Sequence, residues 1–110
     1  MLTIRLFVLQ RVTALIMAPL VLGHLALMIY TIREGLSTGA ILARTQASWF
    51  WALFYGTFVV AVSVHAAIGV RVIIGEALRV RGVVLDLLCL AFGAVLLFAG
   101  LRAVLSVTML

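Results

Sequence analysis

Along most of this chain apolar residues run on unbroken instead of alternating with polar ones. Three such runs stand out, at about residues 12–32, 49–74 and 83–105, separated by two shorter stretches that hold most of the Arg, Glu, Ser and Thr. Each run reaches the roughly 20 residues that a helix needs to cross the hydrocarbon core of a bilayer, so each predicts a membrane-spanning α-helix. The second is the longest and is expected to tilt or to project beyond the lipid. The first connector has turn composition around Glu34, Gly35, Ser37, Thr38 and Gly39, and its Ala40-Ile41-Leu42-Ala43 stretch predicts a short interfacial helix. The second connector, residues 75–82, is short and basic, which makes the second and third spans antiparallel neighbours. With no internal repeat, the expected fold class is an all-α membrane protein. One domain over residues 1–110 would give three helices, part of a bundle whose missing walls come from another subunit.

Composition agrees with the pattern. At 110 residues and 67% hydrophobic, a soluble domain could not hide its apolar surface. The eight basic residues are all Arg and, against three acids, give a net charge of +5. They are scattered, so they point to lipid headgroups and orientation and not to nucleic acid. Placing Arg5, Arg11, Arg79 and Arg81 inside, with Arg71 snorkelling toward them, leaves Arg33, Arg44 and Arg102 outside. The N-terminus is therefore expected in the cytoplasm, with Trp49, Trp51, Tyr55 and Tyr30 at the outer interface. The first run is too long for a signal-peptide core and the start too short for a transit peptide, so the expected location is a bacterial inner (plasma) membrane. Cys89, the single cysteine, lies in an apolar run and is expected to be a buried small hydrophobe.

The candidate chemistry lies at a few polar positions. His65 interrupts the second span within Ser63-Val64-His65-Ala66-Ala67-Ile68-Gly69. An ionisable ring at membrane depth needs a partner, and imidazole is the commonest metal ligand. Gly69, one turn on, leaves room for a flat ligand or a neighbouring backbone, and Glu76 follows on the same face. Arg71 lies nearer the inner interface, where it could meet a carboxylate. These parts suit a haem with an axial imidazole, whereas from spacing alone the favoured reading is a packing histidine hydrogen-bonded to a neighbouring helix. His24, in the first span, shares a face with Thr13 and Met17, with Gln10 close by. It is not level with His65, and either lines the bundle or ligates a second haem. Pro19 is expected to bend this helix. Gln10-Arg11-Val12-Thr13 places a cation and a hydroxyl at the mouth of a span, which suits a quinone as well as it suits an interfacial anchor. Glu76 is a candidate proton donor or a partner for Arg79 or Arg81, and Asp86 a helix-dipole partner in the first turn of the third span. Gly69, Gly75, Gly93 and Gly100 are small residues of the kind that let membrane helices approach closely. A small proton-coupled exporter would need four spans and an acid deep in the first, which this chain lacks.

Two blocks together resemble the three-helix membrane-anchor subunits of succinate dehydrogenase and fumarate reductase, of the type in which two anchor chains form one bundle. Gln10-Arg11-Val12-Thr13-Ala14 is similar to the family's R-[VA]-[ST]-[GA] opening, and His65-Ala66-Ala67-Ile68-Gly69-Val70-Arg71 to its H-x-x-x-G-[IVM]-[RW] block. Glu76 stands where many members have an acid. The resemblance implies His65 as a haem b axial ligand, the haem being shared with the partner anchor, with Gly69 beside it and Arg71 near the propionates. It implies Arg11, Thr13 and Glu76 at a ubiquinone or menaquinone site, and an iron–sulfur subunit and a flavoprotein subunit docked on the inner side. Because two-haem members draw ligands from the first two spans, His24 leaves a second haem open. The chain departs from the family at Ala77, where a tyrosine is common, and at Phe7, where some anchors have a serine. A haem-free structural or assembly subunit of another membrane complex is the competing reading.

Overall fold

The structure is a computed structural model and describes residues 3–109. It consists of four helices, α1 (Ile4–Glu34), α2 (Thr38–Thr45), α3 (Trp49–Ala77) and α4 (Val83–Thr108). Of these, α1, α3 and α4 are long and apolar enough to cross a membrane. The chain is therefore an all-α, multi-pass membrane protein, the arrangement in which each segment satisfies its own backbone in lipid. The helices start where side chains can cap them. The hydroxyls of Thr3, Ser37 and Ser48 accept from the amides of Leu6, Ala40 and Trp51, opening α1, α2 and α3. Thr3 carries α1 well upstream of residue 12, and the helix continues through Pro19 to Glu34. The Ala-Ile-Leu-Ala stretch lies in α2, as expected.

Helix α3 is central. On one side α1 presents Leu6, Gln10, Thr13, Met17, Leu20, His24, Leu27 and Thr31, a stripe spaced alternately by four and three residues whose members are all buried or partly buried. On the other side α4 meets α3 along the row Val59, Ser63, Ala67, Arg71 and Gly75, which is an i, i+4 ridge. Glycines set that contact. A Cβ at Gly93 would stand 3.1 Å from the Cβ of Ala67, and one at Gly100 would stand 2.5 Å from Val59 Cγ1. The short α2 folds against the end of α4, where Thr45 Oγ1 donates to the carbonyl of Val107 at 2.7 Å and Ala47 N to that of Thr108 at 2.7 Å. Ala47 takes a left-handed φ of 57° to make this turn.

Because α1 and α4 flank α3 and hardly meet each other, two faces of α3 stay open. A cleft of about 620 Å³ on one face is lined by Leu9, Val64, Arg71, Asp86 and Gly93, among others. A cleft of about 480 Å³ on another is lined by His24, Tyr55, Phe58, Gly100 and Val104, among others. Among the described residues only Ala61, Ile68, Leu85, Cys89 and Val104 form a fully buried apolar core. Cys89 is thus the buried, free thiol its surroundings predict.

Candidate functional site

The α1–α3 seam carries polar residues, and His65 is at its centre. The ring is partly buried, and its Nδ1 lies 3.1 Å from Thr13 Oγ1. Thr13 is 5% exposed, and the same hydroxyl lies 2.9 Å from the carbonyl of Leu9 and 3.0 Å from that of Gln10. A hydroxyl has one proton and two lone pairs. Spent on the nearer helix carbonyl, the proton leaves a lone pair to accept from Nδ1–H, and Nε2 is then the bare nitrogen. Nε2 makes no hydrogen bond among the described residues and is not among their buried unpartnered atoms. Thr13 thus holds the imidazole by Nδ1, and in the tautomer that donates to its hydroxyl Nε2 is the nitrogen without a proton.

Gly69 is one turn away on the same seam. A Cβ there would stand 3.6 Å from Gln10 Nε2, and Gln10 Oε1 is buried without a partner. The space at Gly69 is thus filled within this chain by the amide of Gln10.

The other sequence-predicted residues are not gathered around His65. Arg71 is six residues on, about 120° round the helix, and faces α4, where its Nε donates to Asp86 Oδ1 at 3.1 Å. The pair is part-exposed, so it is worth on the order of 0–1 kcal/mol, and its effect is chiefly to tie α3 to the first turn of α4. Asp86 therefore has a side-chain partner besides the helix dipole. Arg11, two residues before Thr13, points about 160° away from it. It is exposed, and its guanidinium carbon stands 5.1 Å from the centre of the Phe7 ring. Glu76 is exposed at the end of α3 and pairs with neither Arg79 nor Arg81 among the described residues. Thr13, read from sequence with Arg11 and Glu76, is turned inward onto His65 instead.

His24 packs edge-on against Phe58, with ring centres 5.4 Å apart, and against Tyr55, 6.2 Å apart. Its Nδ1 is buried and unpartnered. Its neighbours on α3 are seven and ten residues from His65, so the two imidazoles lie on the order of 10–15 Å apart along the bundle. Among the described residues no three His, Cys, Asp or Glu side chains cluster as a metal site.

The hydrogen bond from His65 to a neighbouring helix is the packing arrangement the sequence suggested, but Thr13 was not expected as its partner. The signal lay in the 4-3 spacing of α1, which places Thr13 among inward positions and Arg11 among outward ones. A family model described as the succinate dehydrogenase/fumarate reductase transmembrane subunit matches residues 1–101. No curated protein and no solved structure gave a significant match.

Proposed function

Because the chain belongs to the succinate dehydrogenase/fumarate reductase transmembrane subunit family, we propose that it binds haem b through His65 as the membrane anchor of a succinate:quinone oxidoreductase. The observation that supports this reading best is the Thr13–His65 contact. Metal-ligating histidines generally donate their second ring nitrogen to a fixed acceptor, which sets the tautomer and raises the basicity of the first. With Thr13 as that acceptor, Nε2 is the nitrogen that would be left for a metal. The chain's other histidine, His24, packs on Phe58 and Tyr55, on the order of 10–15 Å along the bundle, so a further ligand would come from a partner anchor subunit. When bound, haem b supplies one-electron transfer alongside the quinone site.

His24 has no such acceptor on Nδ1, and a second haem does not enter the reading. Arg71 is engaged with Asp86 on another face of α3 and is not assigned to the propionates. Arg11, exposed at the same end of the unit as Glu76, is the group that would hydrogen-bond a quinone oxygen, in a pocket whose other wall is the partner's. The iron–sulfur subunit would dock at this end, which is then the cytoplasmic side of a bacterial inner membrane, and flavin chemistry would lie outside this chain.

The test is His65→Tyr in the purified complex, with a reduced-minus-oxidised spectrum and succinate-driven quinone reduction measured separately. Loss of the b-type signal is expected. An unchanged signal removes the ligand role and returns His65 to helix packing, as in a haem-free structural subunit.

A further inference from the structure

We propose that the α2 end of the chain holds an anionic glycerophospholipid, its phosphate on Arg44 and an acyl chain in the apolar cleft behind it. The site is independent of the haem reading. Arg44 is the one arginine at this end that the fold draws inward, whereas Arg33 and Arg102 are exposed. Its guanidinium is fixed on two sides, since Nη2 donates to Thr31 Oγ1 at 3.3 Å and the guanidinium carbon lies 5.8 Å from the centre of the Trp51 ring. Nε is buried without a partner. Nη1 makes no hydrogen bond among the described residues and is not buried, so it is the donor left over. Among the described residues no carboxylate lies within ion-pair distance of it, Arg71–Asp86 being the only such pair. A cation taken partly out of water with no counter-ion is unfavourable until an anion joins it.

The cavity beside Arg44 fixes what kind of anion. It measures about 350 Å³ and is lined by Leu27, Leu36 and Ile41 with His24, Thr31 and Tyr55, among others. His24, Ile41 and Tyr55 also line the cleft of about 480 Å³ along α3 and α4, so the two spaces adjoin. A cation at the mouth and an apolar sleeve behind match an amphiphile with a charged head. Tyr30 and the tryptophans of α3 lie at the same end, the level that aromatic side chains take among lipid headgroups. Glu34 and Arg44 both line a neighbouring cavity of about 440 Å³. That carboxylate disfavours a doubly charged head and suits a phosphodiester with a single negative charge. A neutral ring, such as a quinone, would leave the guanidinium charge uncompensated.

The experiment is native mass spectrometry of the intact complex, delipidated and exposed to mixed micelles of equal phosphatidylglycerol and phosphatidylcholine. Wild type is expected to retain phosphatidylglycerol preferentially. Arg44→Gln is expected to lower that retention roughly fivefold, the worth of one basic residue beside an anionic lipid, while Arg33→Gln leaves it unchanged. Should Arg44→Gln fail to assemble, Thr31→Val keeps the charge, frees the guanidinium and is still expected to lower retention. Equal retention of the two lipids by wild type, or undiminished retention in the assembled Arg44 or Thr31 variant, overturns the proposal. So does loss of a bound quinone, in place of a lipid, on replacing Arg44.

Discussion

At the residue scale the decisive contact is one hydroxyl on one ring. If Thr13 sets the tautomer of His65, its removal should weaken haem binding without removing the ligand. Thr13→Val keeps the shape and deletes the acceptor, and is expected to lower haem affinity about 10- to 100-fold, the usual effect of losing such a supporting group. Thr13→Ser, which keeps the hydroxyl, is expected to restore most of it. Haem titration of the purified complex, followed in the visible spectrum, checks both. Equal affinity in all three proteins would mean that the hydroxyl only caps its own helix. His65 was legible as a site in the sequence because a polar ring in an apolar run is conspicuous. Its partner was not, because Thr13 is 52 positions away in the chain. Sequence gives the face on which each residue lies, but only packing sets the register between two helices. Arg71 illustrates the converse. The short hairpin already brings it level with Asp86, and a cation and a carboxylate at one depth pair with each other before either reaches a ligand.

At the element scale the helices were read almost directly, because length and hydropathy determine a span in lipid and little competes with them. Their ends were less legible. The Thr3 cap starts α1 inside a segment that carries Arg5 and Gln10, so hydrophobicity alone placed the start too late. The expected close contacts formed at Gly93 and Gly100, and Gly69 meets the side chain of Gln10. Gly100 gives the sharpest packing test. An added methyl would collide with Val59, so Gly100→Ala is expected to force α4 away from α3 and destabilise the hairpin by about 1–3 kcal/mol. Gly56→Ala, where nothing lies within 4 Å of the new Cβ, should be neutral or slightly stabilising through helix propensity. Unfolding of the chain in detergent micelles, followed by circular dichroism against added dodecyl sulfate, measures both. In the same assay Arg71→Ala and Asp86→Ala should be non-additive by up to about 1 kcal/mol.

At the scale of the whole molecule the arrangement is a layer, with α3 held between α1 and α4 and open on its two remaining faces. Lipid alone could cover those faces, because hydrocarbon tails are as apolar as leucine and membrane helices have no hydrophobic drive to associate. The polar groups argue for more than lipid. His65 Nε2 has no partner among the described residues and Arg11 is exposed on α1, and both are unfavourable against hydrocarbon unless paired. Neighbouring subunits would supply a further ligand to one and a pocket wall to the other. The chain expressed without its neighbouring subunits is then expected to insert with three spans but to carry no haem, whereas co-expression with a partner anchor should yield one b-type haem per pair. Haem-to-protein stoichiometry in the two preparations is the measurement. Stoichiometric haem on the isolated chain would show that both ligands lie within it, and would bring His24 back as a ligand despite its distance from His65.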